Sequence, residues 1–296
     1  MNLRLTDLDR REPLLRGHPA CPGCPSALGL RLIGKALGSD IVLVVPAGCF
    51  TMIQGAFPKT SVDLPILNIA FAASAAAASG VSAAFEVKKS DVPVIVYAGD
   101  GGTVDIGIQS LSGAAERGDN ILYVCYDNEA YQNTGIQRSG ATPYGAWTTT
   151  SIKGKAEKKK DMPAIMVAHH VPYVATASIA YPLDFIEKVR SAVMMHGTKY
   201  IHLHAPCPTG WRFSSEKMVE IGRDAVLTGA WILYEVVGGH WRLTGPSKNL
   251  VDKRKRKPVQ EYLKAQGRFA HINAKLLEAI CSQIDQQWEE IEEKIK

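Results

Sequence analysis

The chain has 296 residues, 46% of them apolar, which is enough to bury a large core in one domain with appendages. Its formal charge of +5 is modest and no acidic or basic tail dominates, so composition alone does not argue for nucleic acid, and an electrostatic partner would have to meet local patches. Residues Met1 to Arg10 lack the apolar stretch of an export signal, and six cysteines without such a signal suit metal ligands or core thiols in a reducing cytoplasm better than a disulfide framework.

Helical and strand-like runs alternate through the first two thirds, the signature of an α/β fold with a mostly parallel sheet and helices on both faces. In chain order, the spacing predicts a helix over 26–37 and strands over 40–45 and 66–70. The apolar run Pro65 to Phe85 is made largely of Ala, Ser and Gly, and reads as the second of those strands followed by a buried helix, not a membrane span. A strand over 92–98, a helix over 103–117 and a strand over 120–126 come next. Gln137 to Asp161, rich in Gly, Ser, Thr and Lys, interrupts the alternation and has the length of a functional loop or a partner-contacting excursion. A strand over 173–179, a helix from Pro182 to Met195 and a strand over 200–205 resume it. Beyond Cys207 the sequence predicts a helix near 225–234, a hairpin at Gly238-Gly239, a basic run Lys253-Arg254-Lys255-Arg256-Lys257 and an amphipathic helix over 274–296. The expected organisation is an N-terminal segment over 1–50 merging into an α/β core over 38–210, with a C-terminal extension over 211–296 that embraces the core or another chain.

The sharpest motif is Gly99-Asp100-Gly101-Gly102, at the carboxyl end of the strand over 92–98, where α/β sheets bind ligands. Glycines let the backbone approach phosphate oxygens, the following helix points amide donors at an anion, and Asp100 offers a hard ligand to a divalent cation. Twenty-eight residues on, just past the next strand, Asn128 stands in Tyr126-Asp127-Asn128-Glu129-Ala130-Tyr131, so two neighbouring strands present Asp100 and Asn128 side by side. Alone, Gly-Asp-Gly marks many ordinary βα turns; with the spaced Asn it resembles the thiamine diphosphate motif. That resemblance implies Mg²⁺ bridging the two phosphates and taking the Asp100 carboxylate, the Asn128 side-chain oxygen and the Ala130 backbone carbonyl.

Cys21 and Cys24 form Cys-Pro-Gly-Cys, Cys49 follows the strand over 40–45, and Cys207 ends another strand in Ala205-Pro206-Cys207-Pro208. Four thiolates suit a [4Fe–4S] cluster or a zinc ion; one close pair with two distant singles favours a cluster wedged among loops over a zinc ribbon. Cys125 and Cys281 have apolar neighbours and read as core thiols.

From Gly17-His18 to the terminal Glu-rich helix, the chain resembles the β subunit of the pyruvate:ferredoxin oxidoreductases and related 2-oxoacid:ferredoxin oxidoreductases. The resemblance rests on Cys21 to Cys24, Gly99 to Ile106, Tyr126 to Ser139, Tyr173 to Tyr181, and Ala205 to Trp211. It implies that Cys21, Cys24, Cys49 and Cys207 hold the [4Fe–4S] cluster nearest the thiamine, and that Asn133 and Thr134 line the diphosphate and substrate pocket. The implied reaction is coenzyme A-dependent oxidative decarboxylation of a 2-oxoacid, pyruvate by default, with electrons leaving one at a time to ferredoxin. The implied partners are a subunit that supplies the glutamate activating the aminopyrimidine and a ferredoxin-like cluster subunit, so the chain alone is expected to be inactive.

After Phe71 the chain has Ala72-Ala73-Ser74 where the pyruvate enzymes carry an acidic residue and an Asn, which leaves branched-chain, aryl or oxalate-type substrates open. His18, close to the first cysteine pair, reads as a hydrogen-bonding loop spacer, and His169-His170, His202 and His204 have no Cys or carboxylate at metal-site spacing and read as structural; the basic run reads as a solvated loop that nucleic acid or an acidic ferredoxin could meet. One rival reading is a non-redox thiamine decarboxylase or synthase with incidental cysteines, separable by iron and sulfide content. Another is a zinc-stabilised nucleic-acid module, disfavoured by the lack of recognition motifs.

Overall fold

The computed structural model describes Arg4, Thr6, Leu8 and residues 10–295, so most of the stretch read for an export signal, and Lys296, lie outside the described residues. The short apolar runs form parallel strands β1 (Val42–Pro46), β2 (Ile66–Ile69), β3 (Val94–Gly99), β4 (Ile121–Asp127), β5 (Tyr173–Ser178) and β6 (Lys199–His204). The hairpin at Gly238-Gly239 adds β7 (Tyr234–Val237), antiparallel to β5, and β8 (His240–Leu243), so the segment beyond residue 210 extends the same sheet. The strand order is β2-β1-β3-β4-β6-β5-β7-β8.

The helices are α1 (Pro25–Leu37), α2 (Cys49–Gln54), α3 (Ser74–Val87), α4 (Ile108–Arg117), α5 (Met162–Ala168), α6 (Pro182–Val193), α7 (Pro208–Trp211), α8 (Met218–Leu227), α9 (Val259–Lys264) and α10 (Ala274–Ile295). Alternate strand residues feed two cores. Leu43, Ile95, Tyr97, Val124 and Leu203 pack with α1 and α6; Val44, Val96, Tyr123, Cys125 and Tyr200 pack on the other face with α3, α4, α8 and α10. Because both faces are covered, the central strands are apolar almost without interruption.

Two expectations change and a third is extended. The helix α3 is only half buried: Ser74, Ala75, Ala78 and Ser82 face the sheet, while Ala76, Gly80, Ala83, Ala84 and Val87 are exposed, with no element among the described residues covering them. The helix expected near 225–234 stops at Leu227, since Gly229 (φ +80°) turns the chain and Tyr234 enters β7. The basic run is solvated at Lys253, Arg254, Lys255 and Lys257, as expected, but it also clamps the terminal helix. Arg256 stacks on Trp288 of α10 at 4.1 Å and donates to the Leu250 carbonyl at 2.7 Å, while Lys253 and Lys257 pair with Asp285 and Asp224. With Ile284, Trp288 and Ile291 buried, this fastens α10 to the core. Among the described residues, no helix is long and apolar enough to cross a membrane.

Candidate functional site

The six parallel strands end at one edge of the sheet. There the chain leaves β1 toward β2 and β3 toward β4, in opposite directions, which opens a crevice between the ends of β1 and β3. Asp100 follows β3, Asn128 follows β4, Cys49 follows β1 and Cys207 lies just past β6, so the topology gathers residues that are far apart in the sequence.

Behind Asp100 the chain does not enter a regular helix at Thr103, as its spacing suggested. It makes a wide π turn over Gly101–Asp105, and α4 begins only at Ile108. Thr103 Oγ1 ties the turn to the Gly99 carbonyl at 2.7 Å. The turn depends on close approach: a Cβ at Gly101 would stand 2.4 Å from the Tyr131 ring, and one at Gly107 1.9 Å from the Gly102 carbonyl oxygen.

Asp100 is buried, and its Oδ2 accepts a hydrogen bond from Ser139 Oγ at 2.5 Å. Its Oδ1 lies 2.9 Å from the side-chain oxygen of Asn128, which in turn lies 2.8 Å from the carbonyl oxygen of Ala130. The Asn128 amide can face these two oxygens with either its nitrogen or its oxygen. Turned over, the amide would donate to both neighbours; as it stands, the set suits a hard cation, because adjacent oxygens of an octahedral Mg²⁺ at about 2.0–2.1 Å are about 2.9 Å apart. Burial, with Asp127 nearby, pushes the Asp100 carboxyl well above the usual carboxylate range, so the carboxylate needs positive charge on its open side.

Cys21 and Cys24 share one turn, with the Cys24 amide donating to the Cys21 carbonyl at 3.1 Å; Cys24 precedes α1, Cys49 opens α2, and Cys207 caps α7. The Cys207 sulfur accepts the Gly210 amide at 3.4 Å. Burial and the other thiols push Cys49 up to about 12, and burial with Cys24 and Cys21 pushes Cys207 to about 11. Cys49 feels Cys207, Cys24 and Cys21, so the four thiols form one electrostatic neighbourhood. Among the described residues, no three His, Cys, Asp or Glu side chains group closely enough to hold a single metal ion. Trp211, at the end of the Cys207 helix, donates Nε1–H to the Asn128 carbonyl at 2.8 Å, joining the cysteine segment to the Asn128 turn.

Asn133 and Thr134 stand exposed on the turn between Tyr131 and Gln137, Thr134 Oγ1 donating to Gln137 Oε1 at 2.7 Å. Ala72 and Ala73 are half buried just before α3. Cys125 is buried in β4, and Cys281 is half buried on α10.

Spacing alone missed the charges behind the Asn128 turn. Asp127 Oδ2 accepts from His202 Nε2 at 2.8 Å and meets Lys159 Nζ at 2.6 Å; Glu129 meets Lys159 at 2.7 Å and Arg268 at 2.7 Å. His202 thus has a carboxylate partner after all, on a neighbouring strand where no local spacing could reveal it. The segment from Gln137 to Asp161 is folded down onto the site through Ser139, Lys159 and Lys160, not extended away from it. Its Ser- and Lys-rich composition was the one available signal.

Residues 46–203 match a family model described as thiamine pyrophosphate enzyme, C-terminal TPP binding domain. Over 290 residues the chain is 51% identical to pyruvate synthase subunit PorB of Methanothermobacter marburgensis, covering 96% of this chain and 99% of that one. The chain belongs to the β-subunit family of the 2-oxoacid:ferredoxin oxidoreductases. Within that family, ketoisovalerate oxidoreductase subunit VorB of Pyrococcus furiosus is 45% identical over 291 residues, 95% of this chain and 92% of that one. The β-subunit fold also recurs in 2-oxoglutarate:ferredoxin oxidoreductase from Magnetococcus marinus, with a TM-score of 0.57 over 73% of this chain and 81% of that chain, at 22% identity.

Proposed function

We propose that this β subunit holds thiamine diphosphate through Mg²⁺ on Asp100, Asn128 and the Ala130 carbonyl, with Gly99 to Gly102 against the diphosphate, and that Cys21, Cys24, Cys49 and Cys207 hold a [4Fe–4S] cluster beside it. The observation that carries the reading is the convergence of the Asp100 carboxylate, the Asn128 side-chain amide and the Ala130 carbonyl, 2.8 and 2.9 Å apart, at the carboxyl ends of two adjacent parallel strands. Thiamine diphosphate supplies a nucleophilic carbon and an electron sink for cleavage beside an oxo group, and the cluster supplies one-electron acceptance.

This chain's own residues bind and orient. Ser139 fixes one Asp100 oxygen so that the other faces Asn128, and Trp211 with Gln132 holds the Asn128 backbone carbonyl at 2.8 and 2.9 Å. The Cys207 segment is thereby fastened to the metal turn, which suits electron transfer over a short path. Neither Asp105 nor Glu129 is free to activate an aminopyrimidine. Asp105 accepts from Tyr131 and Gly140, and Glu129 is closed by Lys159 and Arg268. This supports the reading that the activating glutamate comes from a partner subunit.

The substrate class is a 2-oxoacid, used with coenzyme A and ferredoxin in the cytoplasm, together with a ferredoxin-like cluster subunit. Pyruvate is the first candidate, because a pyruvate synthase subunit is 51% identical over almost the whole chain; a branched-chain 2-oxoacid is the second, from the ketoisovalerate subunit at 45%. Anaerobic assay of the purified complex over a panel of 2-oxoacids with viologen should give turnover that the isolated chain lacks. In the complex, Asp100→Ala should abolish thiamine diphosphate binding, and Cys207→Ser should lower iron and acid-labile sulfide. Normal coenzyme content in the first variant, or zinc without sulfide in the wild type, would sink the respective half of the reading.

A further inference from the structure

The metal ligand Asn128 lies between two acids, Asp127 and Glu129, both buried. Glu129 adopts a left-handed backbone (φ +63°), and its amide donates to Asp127 Oδ1 at 2.9 Å, so the turn is tight and brings like charges together. A single ammonium spans them: Lys159 Nζ lies 2.6 Å from Asp127 Oδ2 and 2.7 Å from Glu129 Oε1, packed 4.8 Å from the centre of the Trp231 ring. Arg268 closes the other Glu129 oxygen at 2.7 Å. Two cations therefore meet three buried carboxylates, and the third, Asp100, is the one turned toward the oxygens of Asn128 and Ala130.

We propose that Lys159 is the positioning residue of the metal turn: by neutralising the acids on either side of Asn128, it holds Asp127 to Ala130 in the shape that aims two oxygens at Asp100, and it makes closure of segment 137–161 depend on metal binding. The proposal rests on the reading that these oxygens hold Mg²⁺. Without their shared counter-charge the two buried carboxylates keep only His202 and Arg268 as separate partners, and their mutual repulsion, acting at low dielectric, strains the turn. Lys159 sits on the same segment as Ser139, which bonds Asp100 at 2.5 Å, so one stretch of chain contacts both halves of the ligand set. Coupling must then run both ways: metal and coenzyme should stabilise the segment as much as the segment favours them.

The test is Mg²⁺-dependent binding of thiamine diphosphate to the purified complex, by equilibrium dialysis, with hydrogen exchange of residues 137–161 read in parallel. Lys159→Met should weaken binding roughly 10- to 100-fold, the range for residues that orient metal ligands. Adding Glu129→Gln should restore at least about tenfold, because removing one buried negative charge along with the ammonium returns the group, Arg268 included, to its wild-type net charge, and His202 still donates to Asp127. Exchange in the segment should slow on adding Mg²⁺ and coenzyme in the wild type, and not in Lys159→Met. Lys159→Gln, which keeps a polar tip without charge, serves if the methionine variant does not assemble and should show the same loss. Simple additivity of Lys159→Met and Glu129→Gln would overturn the proposal, since a packing role has no reason to be rescued by removing a charge. Unchanged affinity in both Lys159 variants, beside lost affinity in Asp100→Ala, would overturn it while leaving the metal site standing. Normal affinity in Asp100→Ala would remove the metal site and this proposal together.

Discussion

Gly107 offers a test of the turn geometry, because the same substitution six residues further on should act in the opposite direction. A methyl group at Gly107 would stand 1.9 Å from the Gly102 carbonyl oxygen and 3.0 Å from its carbon, both backbone atoms that no rotamer can move. Ordinary carbon–oxygen contact needs more than an ångström of extra room. Gly102 has little to give, since its own Cβ position is 3.0 Å from the Phe71 ring. Gly107→Ala should therefore destabilise by about 3 kcal/mol, at the upper end of overpacking penalties, and should open the π turn that follows Asp100. At Gly113, inside α4, the methyl would meet only the tip of Arg117, at 3.2 Å. Gly113→Ala should stabilise by about 0.5–1 kcal/mol, the usual gain in a helix interior. Thermal melting of the purified complex, with and without thiamine diphosphate and Mg²⁺, reads both. Gly107→Ala should also lose coenzyme-induced stabilisation, whereas Gly113→Ala should keep it. Melting and coenzyme response at wild-type level in Gly107→Ala would refute the claim that the wide turn shapes the site.

Burial pulls His204, wedged between Trp211 and Trp231, down to about 3, below its value in the unfolded chain. The stability it contributes is complete above about pH 6.5 and is lost as pH falls from there toward 3, roughly 2 kcal/mol by pH 5. His204→Phe should flatten the melting temperature of the complex between pH 7.5 and 5, and an unchanged slope would count against this origin. Arg256→Met removes the stacking on Trp288 and the bonds to the Leu250 and Val251 carbonyls, so α10 should become cleavable by protease at concentrations that spare the wild type. Its stability should fall by about 2 kcal/mol. Dialysis against EDTA should strip thiamine diphosphate from the complex and Mg²⁺ should restore its binding; retention of the coenzyme without divalent metal would argue against the oxygen triad.

The alternation of apolar runs was enough to place all six parallel strands within a few residues; for β1 and β3 to β6, strands buried on both faces carry an apolar signal that needs no partner to be read, while the edge strand β2 is half exposed. The positions of Gly99-Asp100-Gly101-Gly102, Asn128, Cys24, Cys49 and Cys207 in the fold were legible for a similar reason: each lies just beyond a strand end or at a helix start, where local sequence dictates the turn. What tertiary structure decided was everything that depends on strand order. β6 lies between β4 and β5, so His202 meets Asp127 across the sheet, and Cys207 with Trp211 arrives beside Asn128. Lys159 and Arg268 come from segments 30 and 139 residues beyond Glu129, and a charge pair over such distances leaves no periodic trace in the chain. The widened turn after Asp100 was hidden because a π turn and a regular helix share nearly the same apolar spacing; only the close approach of Gly107 to Gly102 tells them apart. The basic run is solvated as its composition suggests, and only Arg256 becomes a clamp, because α10 folds back to lay Trp288 beneath it.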